Sequence, residues 1–303
     1  MKCRMIAPIQ GALFCTLITG LLLCTTSLYA RETSHIKGTL RIPDSLHTQI
    51  IRTYDGSTFI GRIVEIGEND VEFDSEVGKI TIAILKIEEI KEVPVTSIKK
   101  GTYWFPNPND TRLFFAPTAR CLKAGSGYFA DYYIFFPMLA YGITDNITIA
   151  GGMSLIPGLA IPDQFFYFTP KVGFNMNNSS LAAGILMAKL PGEDDEPIVG
   201  ILYGVGTLGN TDNNITAGLG YGYVDWEFAD KPFVMLGGQY RASRRVSLVS
   251  ENWIVPGVDE TPFLSGGFRL FGEALSVDLA LVFPVGASDG WPLIPYIDFV
   301  FKF

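Results

Sequence analysis

The sequence predicts an all-β protein: an up-and-down antiparallel transmembrane β-barrel of about twelve strands, preceded by a small β domain. Three observations carry that expectation. The chain is 48% hydrophobic and only 18% charged, yet 32 glycines and regularly spaced polar residues dilute its apolar content. Beyond the N-terminus no stretch approaches the roughly 20 consecutive apolar residues that a helical membrane span needs. From Arg112 onward, segments of about ten residues alternate in hydrophobicity and end in turn residues, as strands with one lipid-facing and one lumen-facing side must.

The first element is a secretory signal over residues 1–30. Lys2 and Arg4 form its basic start, residues 11–24 its apolar centre, and cleavage is expected after Ala30. A retained anchor and lipidation at Cys24 are the alternatives, and Leu23 is bulky for the residue before a lipidated cysteine. Cleavage removes Cys3, Cys15 and Cys24 and leaves Cys121 alone, so no internal disulfide can form. It also takes the formal charge from −8 to about −10. An acidic exported chain is a poor nucleic-acid partner, because phosphate binding needs a basic surface.

Residues 49–93 read as a small soluble β unit. Asp55-Gly56 is a hairpin signal, Phe59, Gly61, Ile63 and then Val71, Phe73 alternate with polar residues, and Lys79-Ile80-Thr81-Ile82 forms another strand. Ile87 and Ile90 close the unit. The order Ile51, Asp55-Gly56-Ser57, Gly61, Glu72, Gly78-Lys79-Ile80, Ile87, Ile90 resembles the Sm-like or SH3-like small barrel over roughly 45 residues. Sm proteins bind RNA through basic and aromatic loop residues, whereas this segment is rich in Glu and Asp, so RNA binding is not carried over. Residues 31–100 are therefore expected to be a periplasmic Sm-like domain and linker, a plug, spacer or dock for a periplasmic protein partner.

The barrel is expected over residues 101–303, after Asn107-Pro108-Asn109-Asp110. Strands are expected to start near Arg112, Tyr128, Asn146, Phe165, Ser180, Ile198, Ile215, Phe233, Val246, Phe263, Ala274 and Pro295. Every second connection is tight, as at Thr144-Asp145-Asn146, Ser243-Arg244-Arg245 and Gly272-Glu273. Most of the others are longer and rich in Pro and acid, as at Pro191-Gly192-Glu193-Asp194-Asp195-Glu196-Pro197. Short periplasmic turns and long outer loops on alternate hairpins are an outer-membrane pattern, and an even strand number keeps both barrel ends on the periplasmic side.

Alternation assigns the faces. Ile297, Phe299, Phe301 and Phe303 oppose Asp298, Val300 and Lys302, and Leu275, Val277, Leu279, Leu281 and Phe283 oppose Ser276, Asp278 and Ala280. An Arg or Lys on the lipid face near the midplane costs about 2–4 kcal/mol. That cost assigns Arg112, Arg120, Lys171, Arg241, Arg269 and Lys302 to the lumen, with Asp131, Glu251, Asp278 and Asp298. Trp226, Trp253 and Trp291 beside long loops, and Phe174, Tyr240, Phe271 and Phe303 at the other end, are expected as aromatic girdles in contact with outer-membrane lipid. The ending Tyr296-Ile297-Asp298-Phe299-Val300-Phe301-Lys302-Phe303 resembles the terminal strand by which bacterial outer-membrane proteins engage their barrel-assembly machinery; a glycine is usual where Asp298 sits. The chain as a whole resembles bacterial outer-membrane proteins that join a short Sm-like segment to a barrel.

Few residues point to chemistry. Hydrolytic barrels use a histidine base, and His35 and His47 both precede the barrel, so no enzyme activity is expected. Gly204-Val205-Gly206-Thr207-Leu208-Gly209 spells a dinucleotide fingerprint but continues into Asn210-Thr211-Asp212 instead of a helix start; inward glycines in a narrow barrel explain it better. The acidic groups at 193–196 and at Asp225, Glu227 and Asp230 lack calcium-loop spacing and read as solvated loops. No cofactor or metal is expected. Two functions remain: a small passive pore or transport-related barrel with a mixed-charge lumen, or a non-conducting structural or docking protein whose periplasmic domain recruits a partner. A continuous lumen would favour the first. Crossed salt bridges or an inserted N-terminal segment would favour the second.

Overall fold

A computed structural model describes residues 35–192, 196–256, 262–285 and 293–303. The expected signal peptide, Glu193-Asp194-Asp195 and Trp291 lie outside the described residues. The chain divides into two compact units, the first ending at Tyr103 and the second beginning at Trp104.

In the first unit β1 (His47–Thr53), β2 (Thr58–Ile66), β3 (Asp70–Ser75), β4 (Gly78–Ala83) and β5 (Ile87–Pro94) form an antiparallel sheet of order β4-β3-β2-β1-β5. Inward positions two apart supply its core: Ile51, Ile63, Val71, Phe73 and Ile87 are fully buried. The β1–β2 turn is set by Asp55, whose carboxylate accepts the Thr53 hydroxyl at 2.6 Å and the Ser57 N–H at 2.9 Å. Those bonds hold the Asp55 carboxyl down to about 2. Gly56 follows at φ +84, where a side chain would be strained. A small hairpin of β6 (Ile98–Lys99) and β7 (Thr102–Tyr103) ends the unit.

The second unit is a closed antiparallel barrel of 12 strands. Its staves are β8 (Gly127–Tyr132), β9 (Phe136–Thr144), β10 (Ile147–Met153), β11 (Phe166–Met176), β12 (Ser179–Lys189), β13 (Ile198–Gly209) and β14 (Asn213–Val224). After a short return strand, β15 (Glu227–Phe228), come β16 (Phe233–Arg241), β17 (Val246–Ile254), β18 (Pro262–Phe271), β19 (Leu275–Pro284) and β20 (Ile294–Lys302). The ladder closes where β20 pairs with β8, with Val300 opposite Ala130. The five tight turns β9–β10, β11–β12, β13–β14, β16–β17 and β18–β19 lie at one end, the turn end, with the start of β8 and Phe303. The longer connections and the short β8–β9 turn lie at the other, the loop end.

Two expected strands are corrected. Arg112 does not start a stave: the first stave begins at Gly127, and residues 104–122 run inside the barrel instead. The segment expected from Tyr128 is two staves, joined by Tyr133-Ile134-Phe135 with Tyr133 at φ +52 and Ile134 at φ +70. The two errors cancel in the strand count.

Alternation holds along β19 and β20, with Ser276, Asp278, Ala280, Tyr296, Asp298 and Val300 buried and Leu275, Leu279, Leu281, Ile297 and Phe301 exposed. The outward face is an apolar belt carrying Leu139, Leu181, Leu202, Leu219, Leu236 and Phe268. Soluble monomers rarely expose a contiguous patch of that extent, and outer-membrane barrels do so by design. In β13 the expectation of inward glycines is reversed. Tyr203, Val205 and Thr207 face inward, and Gly204 and Gly206 face out. Gly209 sits at φ +105 in the turn. Trp253 and Phe271 are not girdle residues either: both turn inward, whereas Trp226, Phe174, Tyr240 and Phe303 are exposed at the rims.

Candidate functional site

Residues 104–126 enter at the turn end, fold into a tight hairpin inside the lumen, and return to the turn end before β8. Prolines 106, 108 and 117 remove three backbone donors from this segment, which leaves fewer groups to satisfy inside the lumen. The hairpin closes on itself through Leu113 N–H to Ala116 O at 2.8 Å and Thr118 N–H to Thr111 O at 2.9 Å.

The barrel wall supplies charged side chains that satisfy the hairpin's orphaned backbone. Glu251 accepts the N–H groups of Phe114 at 2.8 Å, Phe115 at 3.0 Å and Ala116 at 2.9 Å on one carboxylate oxygen, and the Trp253 indole N–H at 2.7 Å on the other. Successive N–H groups converging on one point form an anion-binding concavity, filled here by the protein's own carboxylate. Arg269 pairs in a fork with Asp278, Nε to Oδ1 at 2.7 Å and Nη2 to Oδ2 at 2.6 Å. It spends its other donors on the carbonyls of Asn109, Arg112 and Leu113 and on Gln239. Lys171 donates to the carbonyls of Thr111 at 3.2 Å, Thr118 at 2.9 Å and Arg120 at 2.6 Å.

At the turn end Arg241 pairs with Asp212 at 2.7 Å, donates to the Phe105 carbonyl at 2.9 Å, and lies over the rings of Phe271, Trp104 and Phe105. From the hairpin, Arg112 reaches back to the wall, pairing with Asp298 at 2.6 Å. Asp298 also accepts the Tyr296 hydroxyl. Asp298 thus holds the inserted segment's arginine to the wall. Arg120, also on the inserted segment, donates to Gly209 O at 2.7 Å. Asp131 accepts the Phe136 N–H at 3.2 Å and caps the tight β8–β9 turn. Lys302 is half-buried at the turn end of β20, opposite Tyr128.

Of the ten residues assigned to the lumen, nine are buried and the tenth is Lys302. Eight of them converge on the inserted segment or belong to it. Asn107, Asn109, Gln239 and Thr207 were missed by sequence reasoning. They are uncharged, so the cost argument for the lipid face does not reach them, yet Thr207 accepts the Ala119 N–H at 2.9 Å. Cys121 is buried, with its thiol 3.3 Å from Asn146 O. Both histidines lie in the N-terminal unit, His47 2.8 Å from Asp44. Among the described residues no cluster of three or more His, Cys, Asp or Glu is placed to hold a metal.

Above the hairpin, toward the loop end, the lumen opens into a cavity of about 490 Å³ walled by aromatic and methionine side chains. Phe115, at the hairpin tip, lies in it and stacks on Tyr132 with ring centres 5.6 Å apart.

The fold has likenesses among solved barrels. The outer membrane protein Omp33 of Acinetobacter baumannii is 9% identical, with 59% of this chain and 96% of that one covered and a TM-score of 0.34. A loop L8 deletion mutant of OmpT, an outer membrane protein of Vibrio cholerae, is 12% identical, with 85% and 97% covered and a TM-score of 0.34. Such distant likenesses carry no argument about this site. No family model matches the chain, and no curated protein matches it.

Proposed function

We propose that this chain is an outer-membrane barrel that is closed at rest, with its N-terminal domain in the periplasm as a dock for a protein partner. The observation that carries this reading is the inserted hairpin. A passive pore has no use for Glu251, Arg269 and Lys171 all bonded to one chain segment in its own lumen. Burying charges is costly unless each is paired and hydrogen-bonded, and here the partners are largely the plug's backbone groups. The charges that would line a filter serve instead as anchors.

The order β4-β3-β2-β1-β5, a meander whose last strand returns beside its first, supports reading residues 31–100 as Sm-like. The strand parity and the C-terminal strand ending at Phe303 support a turn end facing the periplasm and assembly through the barrel-assembly machinery. No catalytic role is proposed.

Planar-bilayer recording tests the reading. The refolded chain 31–303 should insert as a heat-modifiable barrel and show no discrete steps. A variant lacking residues 105–122 should conduct. Frequent steps from the intact chain would restore the passive pore.

A further inference from the structure

The cavity above the hairpin has a polar floor with unpartnered donors. Arg112 lines it and is only 4% exposed. Its Nη1 is taken by Asp298 at 2.6 Å and by the Phe114 carbonyl. Its Nε and Nη2 are buried with no hydrogen-bond partner. Those two nitrogens share one edge of the guanidinium, the edge that receives a carboxylate through two parallel bonds. A guanidinium cannot shed its proton to escape this situation, so two buried donors are left waiting for an acceptor.

Lys171 lines the same floor, and its ammonium bonds only to carbonyl oxygens, with no carboxylate in ion-pair range among the described residues. The floor therefore holds two fixed cations, of which only Arg112 has a carboxylate partner, Asp298. The walls are of the opposite kind: Phe136, Met138, Tyr167, Tyr203 and Met235 enclose apolar space. A volume of about 490 Å³ lies within the range of small-molecule sites, which combine mostly apolar walls with a few convergent polar groups.

The geometry points to a single-chain amphiphile with a carboxylate head, a long-chain fatty acid in chemical class, as the occupant of this cavity. Its head reaches the unpartnered edge of Arg112 once the side chains that cover it, Tyr132 among them, shift aside, and its tail lies among the aromatic and methionine walls. Methionine and aromatic side chains suit a flexible chain because they repack around it at little cost. This assignment rests on the plugged-barrel reading, since Arg112 and Phe115 are carried by the hairpin.

The test is competition binding of radiolabelled oleate to chain 31–303 in lipid nanodiscs, read by scintillation proximity. Cys121 alkylation is followed in the same sample. The expected result is one saturable site, displaced by oleate at least tenfold more effectively than by oleyl alcohol, which has the same tail and no charge. Val205→Trp, which fills the cavity from the β13 wall, should weaken both competitors at least tenfold. The pair R112M/D298L exchanges the ion pair for apolar groups and should abolish the preference for the carboxylate. No saturable site, or equal competition by acid and alcohol while Cys121 stays shielded, overturns the assignment alone. Freely reactive Cys121 overturns the plugged-barrel reading and the assignment with it.

Discussion

Glu251→Ala is the substitution that tests the plug most directly. One carboxylate oxygen holds three consecutive backbone N–H groups of the hairpin tip, and the other holds the Trp253 indole. Hydrogen bonds to a charged group contribute about 1.5–3 kcal/mol each, but four sharing one acceptor group are far from additive. Removing one side of a buried charged network typically costs about 3–5 kcal/mol. Three of the four bonds run to the hairpin, so about 3 kcal/mol of that loss should fall on seating the plug. Since 1.4 kcal/mol is about a factor of ten, the unseated population should rise roughly a hundredfold. Cys121 reports it: the only cysteine after residue 30 sits on the plug's return arm with its thiol buried. Its maleimide labelling should accelerate by about the same factor as the population, with brief conductance openings alongside. Glu251→Gln keeps acceptor capacity without the charge and should fall between wild type and Ala. A heat-modifiable Glu251→Ala barrel that labels within twofold of wild type and stays silent would refute the anchoring argument.

Other outcomes follow from the same geometry. A Cβ at Gly237 would meet Leu113 Cδ1 at 2.6 Å as well as the Ser250 backbone, so Gly237→Ala should cost about 1–3 kcal/mol and speed Cys121 labelling; Leu113→Ala added to it should recover part of that loss. Asp278→Ala strips the buried Arg269 of both fork bonds and should lower the barrel's urea stability by about 3–5 kcal/mol. Leu279→Arg places a charge on the outward belt and should cost about 2–4 kcal/mol when folding into vesicles is titrated with urea. In the N-terminal unit the depressed Asp55 carboxyl favours folding above its unfolded value near 4, an advantage lost as pH falls toward about 2. Pepsin cleavage of residues 35–103 should therefore rise over that window, and Asp55→Asn should show weaker acid dependence.

The staves were legible because lipid on one side and lumen on the other impose a period of two, and a slip by one residue would put Asp278 or Asp298 into the belt. The plug was misread for the same reason. Arg112, Phe114, Ala116, Thr118 and Arg120 alternate as a stave would, but inside a barrel both sides of a segment are enclosed, so alternation there says nothing about sheet pairing. Pro117, within the expected stave, was only a weak contrary signal, since β9 and β11 carry Pro137 and Pro170 inside the ladder. The β8–β9 turn hid because Tyr133, Ile134 and Phe135 include none of the usual turn residues, and an isoleucine at φ +70 is an outlier that no propensity predicts. Glycine's side in β13 was misjudged on the assumption that a narrow lumen needs empty positions. Tyr203 and Val205 help enclose the cavity that remains above the plug.

Because the inserted segment enters and leaves through the same rim, tension on the chain at Tyr103 would act on it as on a zipper and not as on a rivet. The Arg241 clamp on Phe105 would bear load first, then Asn107 at Thr211, then Asn109 at Arg269, and only afterwards the Glu251 anchor at the tip. Bonds loaded one after another yield at far lower force than the same bonds sheared together. A modest pull at the turn end would therefore withdraw a segment that thermal motion leaves in place.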